Sequence, residues 1–175
     1  MRKDYVEFQD ISVPKAYFLS FRGYGTWLHG DVRFSMDRKN FNRFGSDKIV
    51  GNSGLLQKEY SLLKNPPFIF NGEMRKIINE VIREVCEYRK YHLIAINTRT
   101  NHVHCVVAGN DKPESIMTTF KSYITRRFRE GLKISTETKI WSRHGSTKYL
   151  WTDEQIEKAV DYVINGQGDN LPDFI

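Results

Sequence analysis

Tyr91-His92-Leu93-Ile94-Ala95-Ile96-Asn97, Thr98-Arg99-Thr100-Asn101 and His102-Val103-His104-Cys105-Val106-Val107 follow one another without interruption. Two β-prone apolar runs of strand length flank four polar residues, the pattern of an antiparallel hairpin. In a strand, residues two apart share a face. His102 and His104 therefore project together, while Val103 and Cys105 point to the opposite side.

The flanks read as helices. Upstream, about Gly72 to Lys90 carries Ile77, Ile78, Val81, Ile82 and Val85 at helical spacing, so one face is core. Downstream, Pro113 opens a second helix that runs to about Glu130 and stops at Gly131. A third begins near Asp153, where Thr152 and Gln155 make a capping-box signature before the stripe Ile156, Ala159, Val160, Val163 and Ile164. A first strand, Tyr17 to Arg22, lies between Pro14 and Gly23, and Gly145 to Leu150 suits a short edge strand. From about 23 to 67 periodicity is lost and glycines and charges accumulate, as expected of a long insertion after the first strand. Tyr60-Ser61-Leu62-Leu63 predicts only a short helical turn there, stopped by Asn65-Pro66-Pro67. The order of elements predicts an α+β fold, helices packed on an antiparallel sheet, with 1–175 as a single domain.

Composition narrows the function classes. With 39% hydrophobic and 13% aromatic residues, the 175-residue chain is not disordered and can bury a core unaided. Cys86 and Cys105 are its two cysteines, too few and too far apart for a disulfide scaffold or zinc finger. The lack of a long apolar run or an N-terminal apolar segment predicts a cytoplasmic location. Lys plus Arg number 27 against 21 Asp plus Glu, an excess that favours a polyanionic partner.

The candidate chemistry centres on the histidines. Two imidazoles on one face are ready nitrogen ligands for a divalent cation, although a polar face of a half-buried strand has the same pattern. Lys121, Arg126, Arg127 and Arg129, followed by Arg143 and Lys148, are candidates to neutralise phosphates or form an ordinary solvated face. Arg143-His144-Gly145-Ser146-Thr147 suits either a phosphate grip or a plain turn. Tyr24, Trp27 and His29 either stack on unpaired bases or anchor the insertion.

Four segments in order resemble one family. Asn101 to Val107 resembles the His-hydrophobic-His (HUH) strand of single-tyrosine transposases of the insertion-sequence-200 type, a group that includes the REP-associated tyrosine transposases. Phe120-Lys121-Ser122-Tyr123-Ile124-Thr125-Arg126-Arg127-Phe128 is similar to the basic helix that follows it. Ile140-Trp141-Ser142-Arg143-His144 is similar to the family's Trp-containing segment, and Asp161-Tyr162-Val163-Ile164-Asn165-Gly166-Gln167 to its terminal Tyr helix. The resemblance implies an HUH endonuclease sheet of ferredoxin-like or RRM-like type. It also implies a Mg2+ or Mn2+ ion on His102 and His104, and a tyrosine that attacks single-stranded DNA beside a hairpin. The product is a 5′-phosphotyrosine link, with a free 3′ hydroxyl.

Two tyrosines compete for that role. Tyr123 falls on the apolar stripe of its helix, whereas Tyr162 lies roughly 120° from the centre of its own. Family order and helical geometry both select Tyr162. The family's amide ligand stands four residues after the nucleophile, where this chain has Gly166; Asn165 and Gln167 are the candidates to replace it. The resemblance further implies DNA contacts from Lys121, Arg126, Arg127, Arg129, Arg143, His144 and Lys148. It allows a homodimer and a nucleoid-associated location. Other readings are a catalytically weakened, domesticated relative that binds structured single-stranded DNA or RNA, and a nuclease that merely shares the His-x-His strand.

Overall fold

A computed structural model describes residues 13–26, 28 and 52–168. In chain order they form β1 (Ala16–Gly23), α1 (Ser53–Ser61), α2 (Gly72–Arg89), β2 (His92–Thr98), β3 (His102–Ala108), α3 (Pro113–Gly131), β4 (Trp141–Leu150) and α4 (Asp153–Asn165). The four strands make one antiparallel sheet in the order β2-β3-β1-β4. Each of α2 and α3 crosses over to a strand two places away, the ferredoxin-like βαββαβ pattern, to which α4 is added.

Strand alternation divides the core. Tyr17, Leu19 and Phe21 of β1 and Val103, Cys105 and Val107 of β3 face α2 and α3, where they meet Ile78, Val81, Ile82, Phe120, Ile124 and Phe128. The intervening residues face the other way, and Ala16, Ala95, Val106 and Leu150 pack under Ile156, Ala159, Val160 and Val163 of α4. The two histidines therefore emerge on the α4 side. Each fully buried large side chain contributes roughly 1.5–3 kcal/mol by leaving water, so the two cores hold both helix layers on the sheet. Burial also pushes the Cys86 thiol up to about 11 and raises Cys105, which keeps both as inert core groups.

The capping signature read at Thr152 and Gln155 is present, and α2 is capped at both ends as well. Asn71 Oδ1 accepts from Met74 N at the start of α2, and the helix ends with Lys90 in the left-handed region. At α4, Thr152 Oγ1 accepts from Gln155 N, and the Gln155 side chain reaches back to Trp151 N. Three details differ from expectation. Helix α1 starts at Ser53 under an Asn52 cap, not at Tyr60. It buries no residue, so no apolar stripe announced it. β4 is ten residues long, because it pairs with β1 along almost its whole length. Ile164 is 56% exposed, since it sits at the rim of the α4 stripe near the end of the helix. The central part of the expected insertion, residues 29–51, lies outside the described residues.

Candidate active site

The site is assembled where β3 passes under the C-terminal end of α4. His102 and His104 lie side by side on β3, their ring centroids 4.7 Å apart. Helix α4 is fastened above them by the Asn97 amide, which donates to the Val163 carbonyl at 2.9 Å. The Tyr162 ring meets the His104 ring at 5.6 Å and the Phe18 ring at 5.9 Å, in edge contacts. Phe18 also stacks on His104 at 5.4 Å. Tyr162 keeps 47% of its surface exposed, so the ring is oriented by aromatic neighbours while its edge meets solvent.

Hydrogen bonds determine which atoms face inward. Asn101 Oδ1 lies 2.6 Å from His102 Nδ1, and an amide oxygen can only accept, so Nδ1 carries the proton. In neutral His102 the free lone pair is then on Nε2, and that atom faces Gln167 Oε1 at 3.2 Å. The Gln167 amide cannot be turned without loss, because its nitrogen donates to the Tyr162 carbonyl at 3.1 Å. Two acceptors thus confront one another, an arrangement that a cation between them, or a proton on Nε2, would relieve. His104 adds a third donor. It is buried, and its Nδ1 has no hydrogen-bond partner among the described residues. Burial, and secondarily the neighbouring His102, pushes its pKa down to about 3. It is therefore a neutral imidazole with a lone pair to give. Among the described residues no cluster of three His, Cys, Asp or Glu exists. Two imidazoles and one amide oxygen are nonetheless a donor set that fits a divalent cation.

Gly166 has a steric reason. A Cβ there would lie 2.7 Å from the Tyr162 carbonyl oxygen and 2.8 Å from Tyr162 Cδ2. The ring of Tyr162 occupies the space that a side chain at this position would need. Helix α4 ends at Asn165, and the next turn brings Gln167 back to the Tyr162 face. Asn165 donates instead to Asp161 at 2.7 Å, on the exposed flank.

The candidates on α3 do not share this site. Helix α3 packs on the opposite face of the sheet, so Lys121, Arg126 and Arg129 line a separate groove of about 540 Å³ with Trp141 and Glu130. The Lys121 ammonium donates to the carbonyls of Ser142 and His144, both at 3.1 Å. Its burial, and then the Arg22 charge, pushes its pKa down to about 8. Arg126 lies over the Tyr123 ring at 5.2 Å, and Tyr123 is half-buried against the core. Arg127 pairs with Glu84 of α2 at 2.6 Å, and Arg129 donates to the Thr136 carbonyl at 3.3 Å. Arg143, His144 and Lys148 are exposed on β4, in a strand and not a turn. Lys148 stands opposite Phe18, on the histidine face. The Tyr24 hydroxyl accepts from Lys64 N at 3.1 Å, whereas Trp27 and His29 lie outside the described residues. The sequence reading missed Asn101 as the group that orients His102. Its adjacency to the His-x-His strand was the available signal.

A family model described as "Transposase IS200 like" matches residues 62–165, which include His102, His104 and Tyr162. The chain belongs to this transposase family. Among solved structures it is similar to a REP-associated tyrosine transposase bound to a REP hairpin, at 14% identity and a TM-score of 0.47, over 93% of this chain and 68% of that one. A crystallised protein of Deinococcus radiodurans R1, described as a transposase, aligns at 10% identity and a TM-score of 0.46, over 97% of this chain and 98% of that one. No curated protein matches the chain. Among the described residues, no helix is long and apolar enough to cross a membrane.

Proposed function

We propose that the chain is a metal-dependent endonuclease and strand transferase for single-stranded DNA, acting beside a hairpin, with Tyr162 as nucleophile. The observation that carries this reading is the convergence of His102 Nε2 and Gln167 Oε1 next to the His104–Tyr162 ring contact. Family membership supplies the reaction class.

The ligands in this reading are His102, His104 and the Gln167 amide oxygen. A bound Mg2+ or Mn2+ would polarise the scissile phosphate and lower the barrier to attack. The phenol of Tyr162 is a weak nucleophile until such a phosphate is beside it. Its oxygen bonds to phosphorus as the bond to the 3′ oxygen breaks. The phenol proton goes to water, and the departing 3′ oxygen takes up one proton. The phosphotyrosine ester keeps the energy of the broken bond, so a 3′ hydroxyl can later reverse the step without ATP. The edge contact with Phe18 orients the Tyr162 ring, a positioning effect that needs no charge. The exposed edge strand β4 offers a surface for a second copy, which suits a homodimer.

Incubation with single-stranded oligonucleotides and Mn2+, followed by denaturation, tests the reading. A covalent protein–DNA adduct is expected. Binding without adduct would place the chain with weakened DNA- or RNA-binding relatives, and free cleavage products without adduct would remove the tyrosine mechanism.

A further inference from the structure

We infer that Arg22 is a further catalytic residue, whose guanidinium grips the scissile phosphate on the sheet surface beside His102. The inference rests on the nuclease reading above and adds to it a residue outside the matched family segment. Arg22 stands directly opposite His102 in the β1–β3 ladder, as Ser20 stands opposite His104. Cross-strand partners share a face. Phe18, two positions before Ser20, proves which face, because it touches both His104 and Tyr162. Arg22 therefore belongs to the same surface as the two histidines and the tyrosine.

That surface is built to receive a strand. Helix α4 lies chiefly over β2 and β3 and much less over β1 and β4, the strands that carry Ser20, Arg22 and Ser146. Ser20 and Ser146 pair across the sheet and are small, so the floor next to His104 is low. Exposed Lys148 continues the positive charge along the same face.

The backbone around Arg22 is also fixed. The β1–β4 register shifts between Phe21 and Gly23, where Ser142 to His144 of β4 stand against Arg22 alone, so the bulge lies in β4 opposite Arg22. Bulges recur next to active sites. Gly23 N donates to the Asn101 carbonyl at 2.9 Å, and the Asn101 side chain in turn orients His102. Gly23 admits no side chain, because a Cβ would lie 2.2 Å from the Phe68 carbonyl oxygen. Arg22 and His102 are thus held as parts of one rigid frame.

The chemistry favours such a group. Attack on the phosphodiester concentrates negative charge on the two non-bridging oxygens. His102, His104 and Gln167 are neutral donors, so the ion they would hold is the only positive charge they bring, and a guanidinium adds a second. A guanidinium matches a phosphate with two parallel N–H bonds and stays charged at every working pH. Preorganised charge at that point acts mainly on the transition state.

The test compares full-length wild type, Arg22→Gln and Arg22→Lys on one single-stranded oligonucleotide with Mn2+. The cleaved linkage is either an ordinary phosphodiester or an uncharged methylphosphonate. On the phosphodiester, Arg22→Gln should slow adduct formation about 100-fold and weaken binding by less than about tenfold. Arg22→Lys should recover part of the rate. On the methylphosphonate the gap between wild type and either variant should nearly close, since the charge that Arg22 grips is gone. If Arg22→Gln melts early, the Arg22→Lys comparison across the two linkages decides. Equal rates on the phosphodiester, or an unchanged gap on the methylphosphonate, overturn the role of Arg22 alone. A wild type that forms no adduct on any single strand overturns the nuclease reading and the Arg22 role with it.

Discussion

Gln167 Oε1 faces His102 Nε2 at 3.2 Å across 65 residues of sequence, with the amide turned that way by its own hydrogen bond to the Tyr162 carbonyl. One side chain thereby links the metal-binding candidate on β3 to the nucleophile candidate on α4. The expected consequence is separable from that of Asn165, whose amide is engaged by Asp161. Gln167→Ala should raise the Mn2+ concentration needed for half-maximal adduct formation by about tenfold or more, the range seen when a group that supports a metal site is lost. Asn165→Ala should leave the requirement unchanged. A titration of adduct yield against Mn2+ for both variants checks this, and equal responses would remove Gln167 from the ligand set.

Tyr162→Phe should retain the fold and the affinity for single-stranded DNA but form no adduct. The ring contacts with Phe18 and His104 survive, and only the oxygen is lost. Tyr123→Phe should keep forming adduct, because Tyr123 packs against the other core. Peptide mapping of the trapped species provides the decision: phosphotyrosine at position 123 would reverse the assignment.

Gly166→Ala should damage the site more than the fold. The added methyl must displace either the Tyr162 carbonyl or its ring. Either movement shifts the nucleophile and the Gln167 anchor together. Adduct formation should fall at least tenfold, by the sensitivity of reaction rates to misplacement of about 1 Å. The helix end tolerates adjustment, so the melting temperature should drop by only a few degrees. Calorimetry beside the adduct assay would show whether the two effects part in this way.

Lys121 gives the chain a pH signature. Around its ammonium are the Ser142 and His144 carbonyls of β4, the Phe21 ring and, nearby, the Arg22 cation of β1. Its pKa of about 8 when folded lies below the ordinary 10.5. Between those values the unfolded chain holds a proton that the folded chain has released, so stability rises with pH across this window. The contribution is complete above the unfolded value and lost as pH falls to about 8. Urea unfolding at several pH values from 7.5 to 10.5 should therefore show a steeper rise for wild type than for Lys121→Met. Parallel curves would contradict the burial of this charge.

Several features were legible before any coordinates. The alternation of His102, Val103, His104 and Cys105 placed both imidazoles on one face, because strand geometry has a period of two whatever surrounds it. The stripes of α2, α3 and α4 and the Thr152–Gln155 cap were equally local, since 3.6-residue periodicity and end-capping depend on neighbours within a turn or two. The flank position of Tyr162 followed from the same arithmetic. Helix α1 escaped because it buries nothing and so leaves no apolar signature.

What only the tertiary structure decided depends on strand order and on chain ends. The β2-β3-β1-β4 arrangement sets Arg22 opposite His102, a relation between residues 80 positions apart that no spacing rule encodes. The same arrangement sends α3 to the far side of the sheet and divides one apparent basic run between two faces. Which of Asn165 and Gln167 faces His102 was likewise open in sequence, because both flank Gly166 at similar distance. That placement turned on where α4 ends and which way the chain bends next, with the Tyr162 ring filling the space a side chain at 166 would need. Local patterns are written by neighbours along the chain, whereas the site is made by register and steric exclusion between segments that meet only once the two cores have closed.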